Sequence, residues 1–235
     1  MVFFADLHIH SRVSKDGTAD PRGIIKVCRE KGIEVVGITD HNSFESYYKI
    51  VEIANALDIL LIPGTEIKTD KGDLLIYGEA EKIEDLLDYV KSNNSHMAVI
   101  EKAKENKLIV FLPHPYAILF HYSSSFRKAA KSVIEFVNGV EIFNSRTLFW
   151  NHKALEICKE FGKIPICNSD AHSLIEIGNA YTIIYGEKPE KVSEFFEILG
   201  KSKVKFFRKR ITPDQYLKWK ARIIKDKIAK NIIDL

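Results

Sequence analysis

The sequence predicts a single α/β domain, built as a barrel of strands and helices and followed by a C-terminal helical extension. Short apolar runs rich in β-branched residues alternate with amphipathic segments of helical length, a pattern typical of βα units around a parallel sheet. No internal repeat or flexible linker interrupts it, and the 235 residues, 46% of them hydrophobic, can bury one large core. We assign residues 1–210 to the barrel and 211–235 to the extension.

Each predicted strand is a short apolar run bounded by polar or turn-forming residues. The predicted strands are residues 2–5, 35–38, 60–62, 74–77, 109–112, 140–143, 164–167 and 180–184. Pro21 is placed to begin a helix, and Gly32 and Gly162 are placed to follow helix ends. The predicted helices are residues 21–31, 45–57, 83–92, 95–106 and 148–161, and the extension begins near Thr212.

Composition and cysteine usage indicate a cytoplasmic protein. The N-terminus lacks a basic segment followed by a signal-length apolar run, and no stretch approaches the roughly 20 apolar residues that span a bilayer. The three cysteines are widely spaced and form no C-x-x-C pair, so we expect reduced thiols. A net charge of +3 is too small to indicate nucleic-acid binding by itself.

Residues of the types that bind metals follow almost every predicted strand of the barrel. Because the carboxyl ends of barrel strands meet at one mouth, we expect these side chains to converge there. They are His8 and His10 after the first strand, Asp40 and His41 after the second, Glu66 after the third, His114 after the fifth, Asn144 after the sixth, and Asp170 and His172 after the seventh.

This set of residues predicts a cluster of divalent metal ions. Alternate side chains of an extended chain point the same way, so His8 and His10 can reach one ion. Imidazole and carboxylate groups without cysteine suit Mn²⁺, Zn²⁺ or Fe²⁺. About eight ligands exceed the needs of one ion, so the sequence indicates two ions or three, with a carboxylate between them.

The motifs that contain these residues carry a family resemblance. They read, in order, ADLHIHSRVSKDGTADP, GITDHNS, IPGTEI, LPHP, EIFNSRT and NSDAH. In this order they resemble the PHP (polymerase and histidinol phosphatase) domain family, in its stand-alone phosphoesterase branch. The similarity covers about residues 1–186.

The resemblance implies a distorted seven-stranded βα barrel, a (β/α)7 barrel, with a dinuclear or trinuclear metal centre at the carboxyl ends of its strands. Matched position by position, it implies a bridging role for Glu66. The implied metal ligands are His8, His10, Asp16, His41, Glu66, His114, Asp170 and His172.

Two positions depart from the family pattern. Asp16 lies one residue further from the histidine pair than in the commonest spacing. Several members with three metals have a histidine where this sequence has the Gly72-Asp73-Leu74 stretch, so Asp73 is the residue here that could complete a third site.

The chemistry expected of such a centre is hydrolysis of a phosphate ester by a metal-bridged hydroxide, because two nearby cations lower the pKa of a shared water. We assign catalytic roles to Asp170, His172 and Glu66. We assign substrate binding to Arg146, whose guanidinium matches phosphate geometry, and to Asn144. Either His114 or His172 is a candidate proton donor to the leaving group.

Further basic and aromatic residues lie near the predicted mouth. Arg12 and Lys15 are weaker candidates for phosphate contacts. His121 is a candidate for the pocket lining, within a segment, residues 114–133, that we expect to cover the site. His96 and His152 lie in helical segments and are interpreted as structural.

The segment 201–227 is strongly basic and contains interleaved aromatic residues. This mixture can bind a nucleic-acid backbone and stack bases. The favoured alternative is a terminal helix that packs Trp219, Ile223 and Ile224 on the barrel and turns its lysines to solvent.

Two other functional classes stay open from the sequence. A non-catalytic nucleic-acid-binding subunit on a similar barrel would use the basic segment, but it has no need of the metal-binding residues. An amidohydrolase-type barrel also begins with H-x-H, but it normally bridges its metals with a lysine where this sequence has Glu66. We therefore expect a phosphoesterase acting on a small phosphorylated metabolite, a nucleotide or an oligonucleotide end.

Overall fold

In the computed structural model of the protein, the described residues are 1–117, 126–147 and 151–233. Nine strands form one sheet: β1 (Val2–Ile9), β2 (Val35–Ile38), β3 (Leu60–Lys68), β4 (Asp73–Tyr77), β5 (Ile109–Leu112), β6 (Gly139–Asn144), β7 (Ile164–Asn168), β8 (Ala180–Tyr185) and β9 (Val204–Arg208). The α-helices in these ranges are α1 (Pro21–Glu30), α2 (Glu45–Ala56), α3 (Ala80–Val90), α4 (His96–Glu105), α5 (Ala130–Val133), α6 (Asn151–Glu160), α7 (Val192–Lys201) and α8 (Pro213–Ile233).

The sheet curls into the predicted barrel. Its strand order is β7-β6-β5-β4-β3-β2-β1-β8-β9. The segment after β7 returns to β1, where the Ala171 carbonyl accepts a 2.8 Å hydrogen bond from the His10 amide. The side-chain oxygen of Asn168 also accepts from the Leu7 amide at 2.9 Å. β1 to β7 therefore form a nearly closed barrel, which confirms the predicted fold class.

The sheet is mixed, so the expectation of a parallel sheet was wrong for some strands. β4 is antiparallel to both β3 and β5, and β8 is antiparallel to both β1 and β9. The four residues 69–72 between β3 and β4 are too few for a crossover to a parallel neighbour. Because β4 runs in reverse, its first residue, Asp73, lies at the same mouth as the carboxyl ends of β3 and β5.

The helices α5 and α7 and the strand β9 were not predicted. β9 (sequence VKFFR) alternates half-buried with exposed residues, and lysine and arginine supply part of the exposed side. Its inward-facing Phe206 packs against the buried Phe143, Cys167 and Ala180. The first part of the basic segment 201–227 is thus a strand of the sheet.

Strands β1 and β3 continue further toward the mouth than the sequence predicted. His8 lies within β1 and Glu66 within β3, rather than after these strands. β1 is buried from Ala5 to Ile9 and β3 from Leu61 to Ile67, so the polar side chains in these stretches project into the barrel. This rigid extended backbone fixes the direction of each functional side chain.

The apolar core fills the barrel and the space between sheet and helices. Leu7, Phe111 and Ile166 belong to one buried cluster, onto which α7 packs Phe195 and Leu199. The hydroxyl of buried Tyr77 donates to the Leu7 carbonyl at 2.8 Å, so this large side chain is paired. Within the described ranges, no helix has the length and apolar character needed to cross a membrane.

Candidate metal centre

Four side chains from three strands meet at the centre of the barrel mouth. His8 Nε2 lies 3.1 Å from His10 Nε2 and 3.3 Å from Glu66 Oε2. Asp170 Oδ1 lies 3.4 Å from His8 Nε2 and 3.3 Å from His10 Nε2. All four side chains are at most 1% exposed. We call them the inner group.

The inner group fits a divalent cation. The Nδ1 atom of His8 lies 3.1 Å from Glu141 Oε1, and that of His10 lies 3.3 Å from the Ser14 hydroxyl. Each pair is a hydrogen bond when Nδ1 carries the proton, and the Nε2 lone pairs then face each other beside two carboxylates. Such a convergence is repulsive without positive charge between the atoms. A spacing near 3 Å also matches adjacent ligands around one ion bound at about 2.1 Å.

Glu66 contacts histidines on both sides of the mouth. Its Oε2 lies 3.1 Å from His10 Nε2 and 3.3 Å from His41 Nδ1. Its Oε1 lies 3.2 Å from His114 Nε2. One carboxylate thus contacts both the inner group and two histidines outside it, a position that would suit a ligand shared between two ions.

A second set of ligands lies toward solvent. Asp16, His41 and His172 form, together with His10, a set whose ligand atoms lie within 4.8 Å of one another. Asp16 Oδ2 lies 3.3 Å from His172 Nε2 and 3.6 Å from His41 Nε2. We call Asp16, His41 and His172 the outer group. The structure therefore brings all eight predicted ligands to one mouth.

Asp73 completes a further set with His41 and Glu66. Its side chain is buried, and its Oδ1 has no hydrogen-bond partner among the described residues. Burial and the neighbouring charge of Glu66 raise the pKa of Asp73 to about 7. A carboxylate in this environment fits a cation, which restores the interactions that burial removes.

Glu141, on β6, supports the centre and was missed by the sequence analysis. Besides His8 Nδ1, its carboxylate accepts from the His114 amide at 2.8 Å. It also accepts from Asn144 Nδ2 and Asn168 Nδ2, each at 2.9 Å. Such a carboxylate sets the tautomer and orientation of a ligating histidine. The signal in the sequence was a lone acidic residue inside the apolar run of β6.

Asp40 lies among the metal-type residues of the sequence but has another role. It accepts from the Ser11 amide at 2.7 Å, and from the hydroxyls of Ser11 at 2.8 Å and Ser14 at 2.9 Å. These bonds hold the loop after β1. Gly17 allows the loop to close, because a Cβ there would lie 1.8 Å from the Ser11 carbonyl oxygen.

Asn144 stands behind Asp170 and not in the open cleft. Its Nδ2 donates to Glu141 and, at 3.0 Å, to Asp170 Oδ2. Its Oδ1 accepts from the Arg146 and Thr147 amides. The side chain is fully buried, so its geometry suits orientation of Asp170 better than the predicted contact with substrate.

Two of the predicted ligands have unusual backbone conformations. Asp170 has a φ of 51° and His114 a φ of 27°, in the left-handed region that non-glycine residues seldom adopt. Each lies two residues beyond the end of a strand, His114 after β5 and Asp170 after β7. Strain of this kind is concentrated at functional sites, where it aims a side chain.

The centre is electrostatically polarised. Burial alone would lower the pKa of His10, but Asp170 and Glu66 outweigh it and raise that pKa to about 10. For His8 too, burial would lower the pKa, but the charges of Asp170, Glu66 and Glu141 outweigh burial and raise the pKa well above its ordinary value. Burial would raise the pKa of Glu66, yet the surrounding histidines hold it well below the usual range. The site thus gathers positive charge around its carboxylates.

His172 differs from the other ligand histidines. Burial, followed by the charges of Arg146 and His10, lowers its pKa. Its Nδ1 lies 2.8 Å from the Asp170 carbonyl oxygen, which fixes the tautomer with the Nε2 lone pair toward Asp16. A neutral imidazole in this orientation suits a ligand better than a proton donor.

Arg146 reaches the cleft with its charge already balanced. Its Nη1 lies 2.5 Å from Glu176 Oε2, and its guanidinium stacks on the Trp219 ring with 4.2 Å to the ring centroid. The side chain is 3% exposed. The structure therefore places the predicted phosphate-binding arginine on the cleft wall, held by an acidic and an aromatic partner.

Of the remaining basic and histidine candidates, one lines the cleft and the others that the structure describes make contacts elsewhere or lie in helices. Lys15 lines the cleft, whereas the Arg12 side chain is 66% exposed and pairs with Asp20 at 2.7 Å. His96 Nδ1 lies 2.8 Å from Asp70 and packs on Phe126, as a structural histidine does. His152 lies in α6. His121, and with it residues 118–125 of the predicted cover, lie outside the described residues.

The centre opens into a cleft of about 930 Å³. One wall is formed by α8, through Tyr216, Trp219, Lys220 and Ile223. Lys15, Lys68 and Lys220 give the cleft a basic rim around an acidic, histidine-rich floor. Among the described residues, the lining is His10, Val13, Ser14, Lys15, Asp16, His41, Asn42, Glu66, Lys68, Asp73, His114, Arg146, Asp170, His172, Tyr216, Trp219, Lys220 and Ile223.

Comparison with known proteins gives one family. The family model described as PHP domain matches residues 6–225. Protein MJ0417 of Methanocaldococcus jannaschii is 32% identical over 231 residues, which span 94% of this chain and 85% of that protein.

Solved structures show the same fold at low identity. A two-domain protein of Bacteroides vulgatus that contains a predicted PHP-like metal-dependent phosphoesterase has a TM-score of 0.72 and 18% identity, over 94% of this chain and 70% of that one. The lesion-specific endonuclease EndoQ of Pyrococcus furiosus has a TM-score of 0.69 and 17% identity, over 88% of this chain and 58% of that one.

Proposed function

Because the chain belongs to the PHP domain family, we propose that its mouth binds two or three divalent metal ions and hydrolyses phosphate esters there. Family membership makes the chain a hydrolase, and the proposal concerns its centre and substrate. The observation that carries it is the position of Glu66, whose two oxygens contact histidines on both sides of the mouth.

The described donors divide into sets that suit separate ions. The inner group supplies His8, His10, Glu66 and Asp170, and the outer group supplies Asp16, His41 and His172. Asp73 forms a further set with His41 and Glu66 and is placed to complete a third. Nitrogen and oxygen donors without thiolate suit Mn²⁺, Zn²⁺ or Fe²⁺. Ions bound there lower the pKa of a water molecule and offset the charge of the phosphoryl oxygens.

The side chains of the centre have distinct proposed roles. Asp170 directs Oδ1 to the inner histidines, while Asn144 holds its Oδ2. It is therefore oriented to accept a proton from an attacking water. Glu66 keeps the two sides of the mouth at a fixed separation, and neutral His172 offers its Nε2 lone pair toward Asp16.

The cleft suits an anionic substrate larger than inorganic phosphate. Lys15, Lys68 and Lys220 line its rim, and Arg146, paired with Glu176 and stacked on Trp219, lies on its wall. The lysines complement phosphate charges, and the cleft leaves room for an organic group. We propose a phosphorylated metabolite, a nucleotide or an oligonucleotide end as substrate. The shared fold with a lesion-specific endonuclease makes an oligonucleotide end worth including in the test.

The cysteines support a cytoplasmic location for this activity. Cys28, Cys158 and Cys167 are buried and free. Burial raises the pKa of Cys158 to about 12, and it raises the pKa of the other two thiols well above the ordinary value. Inert reduced thiols are usual in a reducing compartment.

The test is a screen of phosphate monoesters and diesters with Mn²⁺, Zn²⁺ and Mg²⁺ in turn, using p-nitrophenyl phosphate, bis-p-nitrophenyl phosphate, nucleotides and short oligonucleotides. We expect metal-dependent release of product, reduced at least 100-fold in Asp170→Asn and unchanged in the surface control Asp88→Asn. A metal-loaded wild-type protein that hydrolyses none of these esters would refute the proposal.

A further inference from the structure

We infer that Trp219, on the C-terminal helix α8, is a positioning residue for the outer group, so that metal binding by Asp16 and His172 depends on this helix. The inference rests on the proposed metal centre but not on its substrate or reaction. It rests on a continuous set of contacts that runs from the start of α8 to the outer ligands.

The start of α8 is fixed to the loop that follows β7. Thr212 and Gln215 form a reciprocal cap, in which the Gln215 amide donates to Thr212 Oγ1 at 3.2 Å and the Thr212 amide donates to Gln215 Oε1 at 3.0 Å. Gln215 Nε2 also donates to the Ile175 carbonyl at 2.7 Å. The first turn of α8 is therefore tied to the segment that carries His172.

Trp219 lies one turn further along and contacts the outer group directly. Its indole Nε1–H donates to the backbone carbonyl of Asp16 at 2.8 Å. Its ring meets the His172 ring edge to face, with 5.9 Å between centroids. Thus one side chain of α8 touches two of the three residues in the outer group.

Arg146 and Glu176 complete the set around the same residues. The Arg146 guanidinium stacks on the Trp219 ring and pairs with Glu176. Glu176 in turn accepts from the His172 amide at 3.4 Å and from the Ser173 hydroxyl at 2.6 Å. Trp219 therefore closes a ring of contacts that passes from α8 to Arg146, Glu176 and His172.

The inner group has separate support. Its ligands lie on or directly after strands, and Glu141 and Asn144 orient them from inside the barrel. Asp16 lies in the loop after β1, and its side chain is 42% exposed. Loss of Trp219 should therefore loosen the outer ligands and leave the inner ones in place. This selectivity separates a positioning role from a general contribution to folding.

The test is titration of the metal-free protein with Mn²⁺ by isothermal calorimetry, without substrate. Trp219→Ala removes the ring and the hydrogen bond, whereas Trp219→Phe keeps a ring for Arg146 and removes the Nε1–H donor. Leu217→Ala, on the same helix at a side chain that is 64% exposed, is the matched control. Thermal unfolding checks that each variant is folded.

We expect the weakest class of Mn²⁺ sites to lose about 10-fold in affinity in Trp219→Ala, with a smaller loss in Trp219→Phe and none in Leu217→Ala. The tight class should keep its affinity in all three. Equal loss in every class, or affinities within twofold of wild type throughout, would overturn the inference.

Tryptophan fluorescence supplies a second measurement. The sequence contains two tryptophans, and Trp219→Phe leaves the other in place. Emission of the wild type should change as the weak sites fill, and Trp219→Phe should abolish that change. A response that survives Trp219→Phe would count against the inference. Absence of phosphoester hydrolysis would refute the proposed function and leave this result standing.

Discussion

Replacement of Glu141 by glutamine tests whether the buried carboxylate of β6 orients the histidines of the proposed metal centre. The wild-type carboxylate accepts four hydrogen bonds, two at each oxygen. Glutamine keeps one accepting oxygen and presents an NH2 group in place of the other. In either orientation the NH2 group faces donors, so either His8 or the His114 amide loses its acceptor.

The size of the effect follows from these contacts. A hydrogen bond that involves a charged group contributes roughly 1.5–3 kcal/mol, and removal of the partner of a ligating histidine weakens metal binding by about 10–100-fold. We expect Glu141→Gln to fall in this range, which corresponds to roughly 1.4–2.8 kcal/mol of binding free energy. The tight class of Mn²⁺ sites should be affected, because His8 belongs to the inner group.

The assay is Mn²⁺ titration of metal-free protein by calorimetry, with circular dichroism to verify folding. Glu101→Gln makes the same change on the exposed surface of α4 and should bind metal as the wild type does. A folded Glu141→Gln protein whose Mn²⁺ affinities stay within twofold of wild type would show that Glu141 does not act through the ligands.

Two further predictions follow from the pKa shifts. At pH 7 the raised pKa values of His8 and His10 mean that Mn²⁺ must displace protons from these side chains. The calorimetric heat should therefore vary with the ionisation enthalpy of the buffer, with at least one proton released per protein. A heat that does not depend on the buffer contradicts this prediction. Burial raises the pKa of Asp6 from 3.8 to about 7. Between these two pH values the folded metal-free protein retains a proton that the unfolded chain has lost, so the free energy of unfolding falls as pH rises. Asp6→Asn should remove roughly 2–3 kcal/mol of the decline between pH 5 and pH 8 in urea unfolding, and an unchanged decline would refute the assignment.

The convergence of the candidate ligands could be predicted because each of them interrupts or follows an apolar run. The carboxyl ends of parallel strands converge, so His8, His41, Glu66 and His114 could be expected at one mouth before any distance was known. Where a strand of the barrel is antiparallel to its neighbours, the prediction was incomplete. Asp73 reaches the mouth because β4 runs antiparallel, and strand direction is set by the short connection rather than by the residue itself.

Glu141 shows a different limit. The alternation of a strand indicates which residues share a face, but in a barrel covered by helices both faces of β6 are buried. A glutamate in such a strand therefore has no signature that separates a residue facing the centre from one facing the helices. Its assignment needs the distance to His8, which joins residues 133 positions apart in the sequence.

The C-terminal helix shows why charge is a poor guide to the limits of a functional unit. The expectation of a helical extension from near Thr212 led to a division at residue 210, inside the basic segment 201–227, and that division stays a prediction. Ion pairs such as Lys218 with Asp214 and Arg222 with Asp226 lie on solvent-exposed side chains of α8 and account for part of its charge. The side chains that matter to the centre are the uncharged Gln215 and Trp219, which bind backbone carbonyls at Ile175 and Asp16. A truncation at residue 210 would therefore remove one wall of the cleft and a support of Asp16, even though all eight predicted ligands lie before it.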